Sequence, residues 1–335
     1  MTTNHNIIAV TGANGHLGNN IVRFLEQQSF KTVSIVRQAS NTNILDDTKT
    51  EIRRADYKDT NSLMKSLQGV DTVVHTAAVF KRWSPNLQKD IIEENILLSK
   101  NIVEAAGKAG IKKMIYISSI AALEGRDELD STTWNSDAKK AYPYSKALSE
   151  KAARDMANKY NIQFIALLPS AIIGPNFSYE TPTLKLLSDI YYNKLPFTPA
   201  FRFFFVDARD VAKAAHLALL KGKHQARYII SHPNSLAVAE LIDIGIKNIT
   251  HKKIKRPGPV AKPVLFFIAK VSELMAKLTR KEPLLSVEDA KEYWGANPSF
   301  DEQIAYDEIG FEAMPLEQSV IDTFNYFEVV SSAKK

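Results

Sequence analysis

The chain has 335 residues, 45% of them hydrophobic and 24% charged, ordinary values for a globular protein of one large domain with a substantial lobe. It contains no cysteine, which excludes disulfides and thiolate chemistry and fits an intracellular, cytoplasmic protein. The net charge of +6 is mostly scattered, so no nucleic-acid footprint is expected, and no apolar run reaches the roughly 18 residues of a membrane span.

Met1 to Val10 runs almost directly into a strand, without the layout of a signal peptide. The first half alternates short apolar runs with amphipathic stretches. Strands are predicted at Ile7–Val10, Thr32–Val36, Glu51–Arg54, Thr72–His75, Lys113–Ser118 and Gln163–Leu168. Leu17, Ile21 and Leu25 recur at helical spacing, and Asn95 to Gly110 reads as a long helix closed by glycine. Strands alternating with helices imply crossover connections and a parallel, doubly wound α/β sheet. After Leu168 prolines break the rhythm. A strand at Phe203–Val206, a helix at Ala208–Leu220 and a strand at Arg227–Ile230 follow, then helices near Ala237–Asn248, Val264–Leu278 and Leu316–Phe327. The expected division is a core over 1–168, rejoined by about 203–230, and a smaller, mostly helical substrate lobe from 169–202 and 231–335. The basic run His251 to Arg256 reads most simply as a solvated loop, with an anionic substrate or lipid headgroup as the sharper alternative. The amphipathic stretch Val264–Leu278 reads as a packed helix, with a membrane-surface helix or substrate lid as the alternative.

Gly12, Gly15 and Gly18 stand at three-residue spacing between the first strand and the first helix. The first glycine permits the tight turn, the second lets backbone approach a pyrophosphate, and the third allows close helix–sheet packing. The helix N-terminus adds N–H groups and partial positive charge, so the segment is expected to bind a dinucleotide. The second strand is followed by Arg37, and no Asp or Glu lies between Gln38 and Leu45. A carboxylate for the adenosine ribose is thus missing, and a guanidinium can bind a 2′-phosphate, which favours NADP over NAD.

Tyr142 and Lys146 are one helical turn apart and share a face. A free phenol has a pKa near 10, and an adjacent ammonium favours its ionised form. Upstream, Ser118-Ser119 ends a strand, where open α/β sheets bind ligands and a hydroxyl can hold a substrate oxygen. The ordered set of glycine turn, serine-ended strand, tyrosine and lysine points to carbonyl reduction beside a nicotinamide.

These motifs make the chain resemble the extended short-chain dehydrogenase/reductases, of the NAD-dependent epimerase/dehydratase type. It looks most like the branch of dihydroflavonol reductases and 3β-hydroxysteroid dehydrogenases. Thr11 to Gly18 is similar to the family's T-G-x-x-G-x-x-G, and Tyr142-Pro143-Tyr144-Ser145-Lys146 to its Tyr–Lys helix. The resemblance implies a Rossmann fold with Tyr142 as general acid/base, Lys146 on the nicotinamide ribose and Ser119 polarising the substrate oxygen. Ser118 is the neighbour that could be confused with Ser119. For the cofactor it nominates Gly12, Asn14, Gly15, His16, Leu17, Gly18 and Arg37. It adds Asp56 and Tyr57 near adenine, Thr76, Ala77 and Ala78 past the fourth strand, Asn95 as a relay, and Pro169 and Ile172 at the nicotinamide end. His75 and Asp56 can equally be strand-end residues, and Asn95 a helix cap. No metal is expected.

The aromatic residues Phe80, Trp83, Tyr144, Phe177, Tyr179, Phe201, Phe203 and Phe205 are candidates for an apolar substrate pocket, although a core role suits most of them. Acids in the loop from Leu123 to Lys140 (Asp127, Glu128, Asp130, Asp137) could serve a dehydratase. Related dehydratases, however, carry an acidic pair just after the serine strand, where this chain has Ile120-Ala121-Ala122. The expected function is NADP(H)-dependent reduction of a hydrophobic ketone or aldehyde, with a homodimer as the candidate assembly. The alternatives are an epimerase with tightly held NAD and a non-catalytic NADP-binding sensor.

Overall fold

A computed structural model of the chain describes residues 6–77, 84, 86–125, 128–279, 283–296, 299–301 and 303–332. Seven parallel strands form the central sheet: β1 (Ile7–Thr11), β2 (Lys31–Arg37), β3 (Glu51–Ala55), β4 (Thr72–His75), β5 (Lys113–Ile117), β6 (Gln163–Pro169) and β7 (Arg227–Ile230). Their order is β7-β6-β5-β4-β1-β2-β3. The order reverses between β1 and β4, and such a switch point opens a crevice at the carboxyl ends of the strands. Strands buried on both faces read as continuous apolar runs, which is why their sequence signal is clear.

Helices cover both faces. On one side lie α1 (His16–Gln27), α6 (Ala208–Lys221) and α10 (Gln303–Ile309); on the other, α2 (Thr60–Ser66), α3 (Glu94–Lys108) and α4 (Ala141–Lys159). A third apolar cluster gathers α5 (Pro182–Tyr191), α7 (Val238–Asn248), α8 (Lys262–Thr279), α9 (Val287–Tyr293) and α11 (Leu316–Ser332).

The single strand expected at Phe203–Val206 is two. Arg202–Phe203 pairs antiparallel with Leu236–Ala237, and Phe205–Asp207 pairs parallel with Ala171–Ile173. Phe204 turns its ring into the sheet core, while Phe203 and Phe205 pack in the third cluster. The chain here passes between two cores, and both demand apolar side chains, so alternation alone could not show the break.

Candidate active site

Gly12 adopts a φ of +66°, and a Cβ there would stand 2.9 Å from Thr76 Oγ1. A Cβ on Gly18 would stand 2.2 Å from the Gly12 carbonyl oxygen. Both positions are therefore closed by the protein itself. Gly15 has ordinary extended dihedrals as the first residue before α1, and no side chain caps that helix. Its first turn also carries no acid. A helix N-terminus at the switch point that no described side chain caps, with Gly15 half-buried and carrying no side chain of its own, fits the pyrophosphate of a dinucleotide.

The turn is braced from beneath. Tyr57 is buried, donates from its hydroxyl to Ile35 O (2.8 Å) and accepts from Gly12 N (3.0 Å); burial pushes its pKa up. Asp56 is exposed, and its carboxylate accepts from Lys58 N. Arg37 ends β2 with an exposed side chain, while Arg54 beside it donates to the carbonyls of Arg37, Gln38 and Ser40. Asn14 reaches the same stretch through Asn41 O.

His16 is buried and donates from Nε2 toward the Gly174 and Pro175 carbonyls (3.1 and 3.0 Å). Burial holds its pKa down to about 4, so the ring is neutral at pH 7. Asn19 donates to Asn176 O, Asn20 to Pro175 O, and Asn176 returns a bond to Asn20 Oδ1. Four polar side chains thus latch α1 to the loop after the Ala171–Ile173 strand. Pro169 ends β6 and Ile172 lies in that short strand, so both stand at this rim.

A second chain of contacts crosses the strand ends. Thr11 Oγ1 lies 2.7 Å from His75 Nδ1, and Thr76 Oγ1 donates to Thr11 O. His75 is buried with no partner for Nε2 among the described residues, and burial followed by the nearby Lys146 charge holds its pKa down to about 3. Lys146 is itself 5% exposed; burial lowers its pKa to about 8, and Glu150 works against that fall. Glu150 is fully buried, accepts from Ser118 Oγ (2.5 Å) and pairs with Arg154 and Arg227 (both 2.9 Å). The Arg227 guanidinium lies over the Trp134 ring, 3.7 Å from its centroid.

Ser118 is therefore committed to Glu150. Ser119 is half-buried, and its hydroxyl oxygen accepts from Ala121 N (3.1 Å), while its proton goes to no acceptor among the described residues. Tyr142 is half-buried in the first turn of α4, one turn before Lys146. Asn95 lies inside a helical run that begins as a π-turn at Gln88–Glu93, so it is no cap. Its Nδ2 approaches Ser145 Oγ at 3.4 Å, and Ser145 Oγ donates to Tyr142 O.

Tyr142 and Lys146 thus share one stretch of α4, Asn95 reaches that helix through Ser145, and Ser119 opens the short turn Ile120–Ala122 that packs against it. Thr11, His75, Thr76 and Ala77 link the glycine turn to the same region, with His75 feeling the Lys146 charge. Leu17 packs half-buried beside the core of the α1 face. Ala78, Phe80, Trp83 and Asp127 lie outside the described residues. Phe177, Phe201 and Phe205 are buried in the third cluster, Tyr144 is half-buried and Tyr179 is exposed. The sequence reading missed Asn19, Asn20, Glu150, Arg154 and Arg227. A signal existed for two of them, because Tyr142, Lys146, Glu150 and Arg154 continue one four-residue spacing along α4.

Comparison with known proteins agrees with this architecture. The model of the NAD dependent epimerase/dehydratase family matches residues 8–231. A Synechocystis sp. protein named provisionally as a dihydroflavonol 4-reductase is 27% identical over 329 residues, covering 95% of this chain and 94% of that protein. Cinnamoyl-CoA reductase 2 of Arabidopsis thaliana is 25% identical over 302 residues, covering 82% of this chain and 88% of its own length. The crystal structure of gox2253 superposes with a TM-score of 0.81 at 26% identity, covering 97% of this chain and 98% of that one.

Proposed function

The chain belongs to the NAD dependent epimerase/dehydratase family, and on that footing we propose that it is an NADP(H)-dependent reductase converting a hydrophobic ketone or aldehyde to an alcohol. Its relatives support an oxidoreductase with a nicotinamide dinucleotide cofactor. The carrying observation is the face of α4 on which Tyr142 precedes a buried Lys146 by one turn, beside a strand end where the Ser119 proton goes to no acceptor among the described residues.

Gly12, Asn14, Gly15, His16, Leu17 and Gly18 would hold the pyrophosphate, through main-chain groups wherever the side chain is turned inward. Arg37 would take the 2′-phosphate, Asp56 and Tyr57 would lie by adenine, and Thr76, Ala77 and Ala78 would line the path toward Pro169 and Ile172. The bound cofactor supplies the hydride. Ser119 donates a hydrogen bond to the carbonyl oxygen, and Tyr142 delivers the proton to that oxygen. Lys146 stabilises the phenolate left behind, since an ammonium one turn away is worth more in a buried site than in water. Ionised at neutral pH with a pKa of about 8, it retains the charge this task needs. Asn95 steadies the first turn of α4 through Ser145. A cytoplasmic location belongs to the same reading.

The test is NADPH consumption, followed by absorbance, against a panel of aldehydes and ketones. Turnover is expected for hydrophobic members and should fall by about 10²–10⁴ in Tyr142→Phe with NADPH affinity retained. No turnover with any member, together with NAD binding tighter than NADP, defeats the proposal.

A further inference from the structure

Helix α8 turns an apolar face to solvent. Val264, Phe267, Val271, Leu274, Met275 and Leu278 follow three- and four-residue steps along it, and all are exposed, Phe267 at 68% and Leu278 at 72%. The other face is already occupied, with Leu265, Ala269 and Ala276 buried against the lobe. The outward stripe is therefore surplus to folding. Contiguous exposed apolar surface of this kind marks an interaction site.

The exposed charges that α8 itself carries beside the stripe are of one sign. Phe267, Lys270, Leu274 and Lys277 alternate at three- and four-residue steps, so two exposed lysines border the stripe along its length. The acid of this helix, Glu273, is half-buried and turned inward, where its carboxylate accepts from Val287 N at the start of α9. Lys253 and Lys255 are exposed on the segment that leads into α8, and the whole chain carries +6.

From this combination we infer that α8 is a membrane-contact helix, lying on an anionic bilayer with its stripe in the acyl boundary and its lysines at the headgroups. An apolar stripe with a basic border is the chemistry such surfaces select. A second copy of this chain is a poorer occupant. An antiparallel two-fold contact through α8 would line Lys270 and Lys277 of both copies along the same side of the seam, with no exposed acid of α8 to offset them. No described helix, α8 included, is long and apolar enough to cross the bilayer.

The experiment is co-sedimentation of the full chain with vesicles of equimolar phosphatidylcholine and phosphatidylglycerol, and with phosphatidylcholine alone. Light scattering after gel filtration gives the oligomeric state. Wild type should pellet with the anionic vesicles and stay in solution with the neutral ones. Phe267→Ser combined with Leu278→Ser should abolish pelleting, and Lys270→Glu combined with Lys277→Glu should weaken it about tenfold or more. Both variants change exposed positions, so unchanged circular dichroism and thermal midpoint will show the fold intact. The inference is overturned if wild type ignores anionic vesicles or if both variants pellet undiminished. It is equally overturned if wild type is a dimer that the serine variant dissociates, which would make the stripe a self-association surface.

Discussion

Glu150 holds two buried arginines and a serine hydroxyl, and Lys146 sits one turn away on the same helix face. Glu150→Ala strands Arg154 and Arg227 without a counter-charge, which should cost about 3–5 kcal/mol in urea unfolding. A loss below about 1 kcal/mol would mean that water reaches the pair. The substitution also removes the charge that opposes the fall of the Lys146 pKa, so the alkaline limb of the pH–rate profile should move to lower pH where a purely structural defect would leave its shape alone. Arg37 is the other informative residue. Arg37→Ser should weaken NADPH binding about tenfold or more in a fluorescence titration while leaving NADH unchanged, because only the 2′-phosphate contact is lost. At this scale the sequence revealed the Tyr–Lys pair, and the same spacing extended would have reached Glu150 and Arg154. Arg227 was invisible, because it lies 77 residues from Glu150 and meets it only when β7 closes the sheet edge.

Elements show why three similar glycines are not equivalent. A methyl at Gly18 collides with the backbone oxygen of Gly12, while at Gly15 it meets that oxygen at 3.2 Å in a conformation alanine adopts. Gly18→Ala should therefore destabilise the fold by about 1–3 kcal/mol. Gly15→Ala should leave the unfolding midpoint nearly unchanged but weaken NADPH binding, since it blocks the approach to the helix end. The two effects separate in paired denaturation and binding measurements; equal loss of stability in both would refute the distinction. Glycine spacing and the flanking strand and helix were legible as a motif. The latch of His16, Asn19 and Asn20 onto residues 174–176 was not, because its partners lie 155–159 residues away and, the Asn176 amide aside, are backbone carbonyls, on which side-chain identity leaves no mark.

Across the whole molecule, burial of titratable groups sets the response to pH. His16 and His75 are held to about 4 and about 3 against an ordinary 6.5. Between pH 6.5 and about 4 the unfolded chain therefore binds two more protons, and stability falls as the solution is acidified. Asp210 acts oppositely: burial raises its pKa to about 6, so the folded state holds one extra proton between about 6 and 3.8. From these three groups the net slope from pH 6 to 4.5 is about 1.4 kcal/mol per unit, and Asp210→Asn should roughly double it in urea titrations. At the alkaline end Lys146 is lowered to about 8 from 10.5, so stability rises with pH across that window. An acid-insensitive midpoint between pH 6.5 and 4.5 would place water at one or both histidines.

Local sequence determined the alternation of strand and helix, the glycine turn and the spacing of Tyr142 and Lys146. Each of these is written in residues a few positions apart, where apolar periodicity and backbone sterics act directly. Only the tertiary structure decided which serine is spent on Glu150, which histidines are neutral and which face of α8 is left bare. Those outcomes depend on desolvation and on partners brought together by closing the sheet, and both are properties of the folded surface rather than of any segment of the chain.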